Sequence, residues 1–434
     1  MPLKLDARTA SFAREFAAFL ARTRSADEDV DRTAGAIVED VRARGDAALL
    51  DYTRRFDRLD LADAQALRLP VAERDALAAR AEPRAREALA FAAARIEAFH
   101  RATLPVDVDF TDATGTRLGA RYRPIDAVGL YVPGGRAAYP SSLLMNAIPA
   151  RVAGVRRLAM VVPTPGGAVD PLVMAAAQLA GIEEIWRLGG AQAVAALAYG
   201  TASVAAVDKI VGPGNAWVAA AKRRVFGRVG IDLIAGPSEI LVVADDRNDP
   251  AWIAADLLSQ AEHDPASQSL LICADAAFAE RVVAAIETAL ATLPRAEIAA
   301  ASWRDHGAVI VVDDLAAAAP LVDAIAPEHV ELAMEPGPAE ALARAIRHAG
   351  AIFIGRHTPE AIGDYVAGTN HVLPTSRAAR FSGGLGVSDF LKRTSLVACT
   401  PASLAALGPA AVTLAEAEGL GAHALSVALR LGRG

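Results

Sequence analysis

Cysteine is almost absent from this chain, whose 434 residues include only Cys273 and Cys399. Two cysteines so far apart exclude a disulfide framework and a cysteine-rich metal site. Clusters of lysine and arginine are also missing, and the formal net charge is −7. A chain without such clusters lacks the usual means of binding nucleic acid or an anionic membrane surface. We therefore expect neither a nucleic-acid partner nor a membrane partner.

We also expect no segment that directs the chain to or across a membrane. Charges at Lys4, Asp6 and Arg8 occupy the place where a signal peptide needs its apolar region. The uncharged stretch from Leu188 to Val207 is rich in alanine and glycine and contains polar side chains such as Gln192. This composition is more typical of a strand, a turn and a helix in a soluble protein than of a membrane span. We expect a cytoplasmic protein.

What the chain does have is apolar residues, which make up 53% of it, arranged as short runs between turns and helical patterns. A chain of this length exceeds one usual hydrophobic core, so we expect at least two domains. Alternating strand and helix patterns predict mostly parallel sheets covered by helices on both faces. The predicted strands are 127–132, 158–162, 184–188, 207–211, 231–235, 239–243, 269–273, 308–312 and 351–354.

Glycine-rich turns follow the first four predicted strands. They are Pro133-Gly-Gly, Pro163-Thr-Pro-Gly-Gly, Gly189-Gly and Gly212-Pro-Gly. Ligands of open α/β sheets bind beyond the carboxyl ends of strands, where helix N-termini favour phosphate. Four such turns indicate a site for a nucleotide or another anion, although neither G-x-G-x-x-G nor a P-loop is present. The alternative is that each glycine only forms a tight turn.

Metal-ligand side chains lie near the end of a predicted helix that Asp249 and Pro250 begin. Gln260 and His263 are three residues apart, so they share one face there. Groups of similar chemistry follow later in the chain: Asp364, His371, Glu418 and His423. Nitrogen and oxygen ligands without cysteine suit an open catalytic site for Zn²⁺ or a similar ion. The alternative is that the glutamine and histidine are ordinary surface groups.

A second pair of acid-base groups, Glu328 and His329, follows Pro327. A turn after the proline would let both side chains reach one cavity. Two neighbouring groups of this kind divide the deprotonation of an alcohol and the activation of water between them. The alternative is a solvated glutamate beside a histidine that caps a helix.

The chain resembles the histidinol dehydrogenase family over essentially its full length. The resemblance rests on ordered, ungapped stretches and on the closing pair Glu418 and His423. The stretches are LYVPGGRAAYPSS (130–142), GGAQAVAALAYGT (189–201), VDKIVGPGNAWV (207–218), DLIAGPSEILVVAD (232–245), DLLSQAEHDP (256–265), PEHVEL (327–332) and GDYVAGTNHVLPT (363–375).

The resemblance implies a role for each matching residue. The family's catalytic acid-base pair corresponds to Glu328 and His329. Its zinc ligands correspond to Gln260, His263, Asp364 and His423, and its NAD contacts to Tyr131, Gln192 and Asn215. Its substrate contacts correspond to Ser238, Gln260, His263, His329, Asp364, His371, Glu418 and His423.

The resemblance also implies the domain organisation. We expect an α/β fold with two Rossmann-like parallel-sheet domains and small helical appendages at both ends. The first domain, with the metal and acid-base residues, would comprise 26–129 and 238–385, and the second, NAD-binding domain 130–237. The appendages would be 1–25 and 386–434, the second of them crossing to the partner of a homodimer, where Glu418 and His423 complete the neighbouring site.

The implied activity is oxidation of L-histidinol to L-histidine with two NAD⁺, the last step of histidine biosynthesis. A neutral histidine suits the first deprotonation, which points to His329. Neither cysteine has a basic neighbour in sequence that would lower its pKa, so attack by water with Glu328 as base is favoured over a thiol. Three alternatives remain open: a zinc dehydrogenase acting on another amino alcohol or polyol, a metal-dependent hydrolase, and a nucleotide-binding regulator.

Overall fold

The computed structural model describes residues 2–21, 28–134, 139–234 and 236–432. Its strands are β1 (Leu3–Asp6), β2 (Arg68–Leu69), β3 (Val108–Thr111), β4 (Arg117–Pro124), β5 (Ala127–Tyr131), β6 (Arg157–Val161), β7 (Glu184–Trp186), β8 (Lys209–Val211), β9 (Gly230–Ile231), β10 (Glu239–Ala244), β11 (Gln268–Cys273), β12 (Ala308–Val311), β13 (His329–Ala333), β14 (Ala351–Ile354) and β15 (Leu391–Ala398).

The helices separate these strands in the order expected of a βαβ series. They are α1 (Phe12–Leu20), α2 (Glu28–Arg44), α3 (Asp46–Tyr52), α4 (Val71–Ala78), α5 (Pro83–Ala102), α6 (Pro140–Ala153), α7 (Pro171–Leu179), α8 (Gly190–Tyr199), α9 (Ala216–Val225), α10 (Pro250–Ala261), α11 (Ala276–Leu290), α12 (Ala296–His306), α13 (Ala319–Ile325), α14 (Pro336–Ala345), α15 (Glu360–Tyr365), α16 (Pro401–Ala417) and α17 (Gly421–Arg430). Within the described segments, every helix is too short or too polar to span a lipid bilayer.

Two parallel sheets form the frame of the molecule. The first has the order β1-β12-β11-β10-β13-β14, and the second has the order β2-β7-β6-β5-β8-β9, with only the edge strand β2 antiparallel. Their strands are nearly continuous apolar runs because helices cover both faces of each sheet. The strand order reverses beside β10 in the first sheet and beside β5 in the second. The predicted α/β fold with two Rossmann-like sheets is confirmed.

The described residues of 1–102 are distributed between the two sheets differently from the prediction. The segment 1–25, expected to be a helical appendage, contributes β1, which pairs with β12 of the first sheet. The helices of residues 28–102, grouped with the first domain by sequence, pack on the second sheet, with Ile37 and Val41 of α2 against the core that contains Leu197. Amphipathic periodicity reveals an apolar face but not the sheet that covers it.

The carboxyl-terminal segment was expected to contain no strand, and this was wrong. β15 pairs along its whole length with β4, and β3 completes a small antiparallel sheet. β15 is mostly exposed and lacks a regular apolar alternation, so its sequence gave no strand signal. The prediction of helices after it is confirmed by α16 and α17.

Candidate active site

The candidate active site lies at the amino ends of β10 and β13, the two central strands of the first sheet. Glu239 begins β10, His329 begins β13, and Glu328 directly precedes it. All three side chains are buried. Ligands of open α/β sheets usually bind at the opposite, carboxyl edge. The first sheet therefore serves mainly as a rigid support from which these side chains project.

Glu328 is held by the backbone of the neighbouring strand. Its Oε2 accepts a hydrogen bond of 2.9 Å from the N–H of Glu239. Burial raises the pKa of Glu328 well above its usual value. A carboxyl group with a raised pKa is a better proton acceptor once it is ionised, which suits a general base.

His329 has a defined tautomer. Its Nδ1 lies 2.9 Å from the carbonyl oxygen of Glu239, which only accepts, so Nδ1 carries the proton. Nε2 is then the free acceptor of the neutral ring, and burial lowers the pKa of His329. Within the described residues Nε2 has no hydrogen-bond partner. It lies 3.8 Å from Glu360 Oε1 and 3.9 Å from Asp364 Oδ1.

Two carboxyl groups of α15 face this nitrogen. Glu360 and Asp364 are four residues apart and so lie on one face of the helix. Ser259 of α10 donates a hydrogen bond of 3.0 Å to Glu360 Oε2. Burial, together with the charge of Glu360, raises the pKa of Asp364 to about 9. One ligand atom each from His329, Glu360 and Asp364 lies within 4.8 Å of the others, which is a geometry that could hold a metal ion.

The row of carboxyl groups continues along the same face of β13. Glu331 lies two residues after His329, and its Oε2 accepts a hydrogen bond of 3.3 Å from the N–H of Glu360. Burial and the charge of Asp256 on α10 raise the pKa of Glu331 to about 9. Acidic groups so close together indicate a site built to hold positive charge.

Gln260 follows Ser259, which binds Glu360, and His263 lies close to the same carboxyl group. The predicted helix begins as expected, because Asp249 accepts a hydrogen bond from the N–H of Ala251 at 2.9 Å. Gln260 is buried in the last turn of α10, and His263 follows the helix. Burial lowers the pKa of His263, which keeps its ring neutral and able to bind a metal. The charge of Glu360 partly opposes that shift, so the ring lies close to α15.

His371 joins the first sheet to the second. Its Nδ1 lies 2.9 Å from the carbonyl oxygen of Asp364, and its Nε2 accepts from Ser142 Oγ at 3.1 Å. Ser142 belongs to α6, which covers the second sheet, and the neighbouring Asn370 donates to the carbonyl of Met145 at 2.7 Å. Burial lowers the pKa of His371 to about 4. The acid-base cluster therefore lies at the interface between the two domains.

The predicted cofactor residues lie at the carboxyl edge of the second sheet. Tyr131 ends β5, and its hydroxyl accepts a hydrogen bond of 3.1 Å from the N–H of Gly190. Gln192 of α8 is buried, and its Oε1 has no hydrogen-bond partner within the described residues. Asn215 caps α9 by accepting from the N–H groups of Trp217 and Val218. These three residues thus lie at or just beyond the ends of β5, β7 and β8, around the point where the strand order reverses.

A buried ion pair shapes the turn after β8. Lys222 and Asp232 form an ion pair with almost no exposure. Lys222 also donates to the carbonyl of Gly212 at 3.0 Å, while Asp232 accepts from the N–H of Gly212 at 2.7 Å. A Cβ at Gly212, whose φ is +117°, would lie 2.1 Å from the carbonyl oxygen of Tyr131. The pair therefore holds this glycine turn against the end of β5.

Replacing Lys222 by methionine is expected to lower the free energy of unfolding by about 3–5 kcal/mol, because Asp232 would keep a buried charge without its partner. Urea denaturation followed by circular dichroism measures this loss. The matched control is Arg223→Met, which breaks a surface pair with Asp31 and should change stability by about 0–1 kcal/mol. Equal stability of the two variants would contradict the role given to the buried pair.

Three predicted residues lie outside this network. Ser238 is half-buried directly before β10, where its carbonyl accepts from the N–H of Gln268 at 2.9 Å. Glu418 and His423 are exposed at the junction of α16 and α17. Within the described part of this single chain, neither has a hydrogen bond or ion pair with Asp364 or its neighbours.

Four carboxyl groups of the cluster were not predicted from the sequence: Glu239, Asp256, Glu331 and Glu360. Glu360 precedes Asp364 by four residues on a short helix, a spacing that places both on one face. Glu239 is a lone acidic residue that begins an otherwise apolar buried strand. Ionised groups are rarely buried without a partner, so the sequence contained a signal that Glu360 and Glu239 belong to a site.

Two Rossmann-like domains that meet at buried imidazoles and carboxyl groups define an enzyme with acid-base chemistry. The chain belongs to the histidinol dehydrogenase family, whose family model matches residues 20–431. That family belongs to the oxidoreductases.

Known proteins are similar to this chain along its whole length. Histidinol dehydrogenase from Rhodospirillum rubrum is 64% identical over 435 residues, covering 100% of both chains. The enzyme of the same name from Rhizobium meliloti is 61% identical over 100% of this chain and 99% of its own length. The crystal structure of histidinol dehydrogenase from Elizabethkingia anophelis has a TM-score of 0.94 at 35% identity, and the match covers 99% of this chain and 98% of that chain.

Proposed function

We propose that the protein oxidises L-histidinol to L-histidine through histidinaldehyde with two NAD⁺, as the last step of histidine biosynthesis, in the cytoplasm. The observation that carries this proposal is the pair Glu328 and His329, buried at the interface of two Rossmann-like domains in a member of this family. When bound, NAD⁺ accepts the hydride of each oxidation, and Zn²⁺ holds the amino alcohol in place without changing its redox state.

In the first oxidation, His329 takes the proton of the alcohol at Nε2. The hydrogen bond from Nδ1–H to Glu239 fixes the ring so that Nε2 is the accepting atom. The carboxyl group of Glu360, 3.8 Å from Nε2, stabilises the imidazolium that forms.

In the second oxidation, Glu328 takes a proton from the water that adds to the aldehyde carbon. The resulting hydrate loses its hydride and becomes the carboxylic acid. A thiol route would need a thiolate, but burial raises the pKa of Cys273 to about 12. Cys399 is exposed in the carboxyl-terminal segment, directly after β15. Water with a carboxyl base therefore agrees better with the residues present.

The residues present suit a zinc ion. Gln260, His263 and Asp364 offer an amide oxygen, a neutral imidazole and a carboxylate, and such ligands bind Zn²⁺. Burial, together with the charge of Glu360, raises the pKa of Asp364, and a bound cation would favour its ionised form. We propose these three residues as ligands together with His423.

The residues present also suit NAD. Tyr131, Gln192 and Asn215 follow three strands of the second sheet, at the edge where dinucleotides bind in such folds. The buried Oε1 of Gln192 still requires a hydrogen-bond donor, which a ligand can supply.

We further propose a homodimer in which Glu418 and His423 complete the site of the partner subunit. Both side chains are exposed in this chain, so they are free to reach another one. Exposed leucines surround them on α16 and α17, including Leu414, Leu420 and Leu425. Apolar side chains concentrated in this way favour burial in a subunit interface.

The proposed function is tested by the stoichiometry of the complete reaction. Purified protein with zinc, excess NAD⁺ and limiting L-histidinol should form two NADH per histidinol, measured by absorbance at completion. One NADH would mean that the reaction stops at the aldehyde, against the role proposed for Glu328. No NADH from zinc-loaded dimer, together with turnover of another amino alcohol or polyol, would identify a different substrate.

A further inference from the structure

Asp57 is a buried acidic residue to which neither the family resemblance nor the proposed mechanism gives a role. It ends a π-helical turn, Thr53–Asp57, and the next residue, Arg58, is left-handed with φ +53°. π-Helical turns are rare and are frequently found at functional sites. The turn therefore marks Asp57, the side chain that it positions, as a candidate functional residue.

Only one of the two oxygens of the Asp57 carboxylate has a hydrogen-bond partner among the described residues. It accepts a hydrogen bond from the backbone N–H of Thr164. Asp57 is only 6% exposed, so it is more than nine-tenths buried. Its Oδ2 has no hydrogen-bond partner in the part of the chain that the structure describes. Burial raises the pKa of Asp57. A buried carboxylate oxygen without a donor is unfavourable, so this oxygen suits a ligand that brings a donor.

Thr164 places Asp57 at a particular point of the second domain. It lies three residues beyond β6, the strand next to the central strand β5. Leu59, which follows the π-helical turn, lies 3.5 Å from a Cβ built at Gly167, so the segment covers the loop after β6. The charge of Asp57 also acts on the hydroxyl of Tyr131 at the end of β5.

The loop after the strand next to the central one has a general function in Rossmann-like domains. An acidic side chain there accepts hydrogen bonds from the ribose hydroxyl of the adenosine of NAD. In this chain the stretch 162–167 reads Val-Pro-Thr-Pro-Gly-Gly and contains no acidic residue. The loop after β6 itself therefore lacks the group that such domains use.

We propose that Asp57, supplied by the helical segment before the second sheet, binds the adenosine ribose of NAD⁺ and thereby selects NAD⁺ over NADP⁺. This inference rests on the proposed function, because it concerns the same dinucleotide site. Oδ2 accepts a hydrogen bond from the ribose 2′-hydroxyl. The 2′-phosphate of NADP⁺ has no such proton to donate when ionised, and the negative carboxylate repels it.

The test is direct binding of NAD⁺ and NADP⁺, measured by isothermal titration calorimetry without substrate. Asp57→Asn should weaken NAD⁺ binding by about 10- to 100-fold, the usual effect of losing a charge-assisted hydrogen bond. NADP⁺ should bind the variant at least as tightly as it binds the wild-type protein. The ratio of NAD⁺ affinity to NADP⁺ affinity should therefore fall by at least about 10-fold. The matched control is Asp60→Asn, which removes the same charge from an exposed partner of Arg54 and should change neither affinity.

A second measurement uses the wild-type protein alone and does not depend on how a variant folds. An NAD⁺ analogue without the 2′-hydroxyl of the adenosine should bind about 10-fold or more weakly than NAD⁺. Equal binding of the analogue, or an unchanged preference in Asp57→Asn, would overturn the role of Asp57 while leaving the proposed function intact. Wild-type protein that binds neither dinucleotide would instead refute the proposed function.

Discussion

Glu328→Gln is expected to slow the oxidation of histidinaldehyde by roughly 10²–10⁴-fold, the usual loss when a general base is removed. The amide keeps the shape of the side chain and can still accept from the N–H of Glu239, but it cannot take a proton from water. Oxidation of histidinol to the aldehyde should fall much less, because in the proposed mechanism His329 accepts that proton.

The two steps are separated by starting the reaction either with histidinol or with histidinaldehyde and following NADH in a stopped-flow instrument. The control is Glu340→Gln, which changes an exposed carboxyl group on α14 and should leave both rates as they are. Equal losses in the two steps would contradict the division of work between Glu328 and His329, and would make Glu328 a group that only supports the site.

The fold was predictable from the sequence where the same local pattern recurs along the chain. Buried parallel strands are short apolar runs, and glycine turns end them, so strands such as β5, β6 and β10 were found within one or two residues. β13 was missed, although it is fully buried, because His329 and Glu331 interrupt its apolar pattern. Those two polar residues belong to the candidate site, which is where local patterns are expected to fail.

The site was predictable in its chemical types but only partly in its geometry. Gln260 and His263 lie on one helix, so their spacing alone brought them together. Asp364 is about a hundred residues away in sequence, and only the packing of α15 against α10 and β13 brings it close. The position of Glu360 was not predictable for the same reason, since its contact with Ser259 depends on that packing. No spacing rule connects elements that meet only through the sheet between them.

His263→Ala is expected to remove the metal and the activity together while the fold remains. His263 lies outside the regular part of α10, so its loss leaves the core that contains Leu257 and Leu258 unchanged. Loss of a direct ligand should weaken zinc binding by more than the roughly 10–100-fold that follows from loss of an outer partner. Zinc content after dialysis, measured by mass spectrometry, and circular dichroism test the two parts of this prediction.

The matched control is His357→Ala, which removes an imidazole that is exposed beside Trp252. This variant should keep its zinc and its activity. If His263→Ala retained stoichiometric zinc, the proposed ligands would be wrong. The metal would then have to be held by the other cluster that the structure presents, His329, Glu360 and Asp364, whose ligand atoms already lie within 4.8 Å of one another. In that case His329 could not act as the base of the first oxidation, because its Nε2 would be bound to the metal.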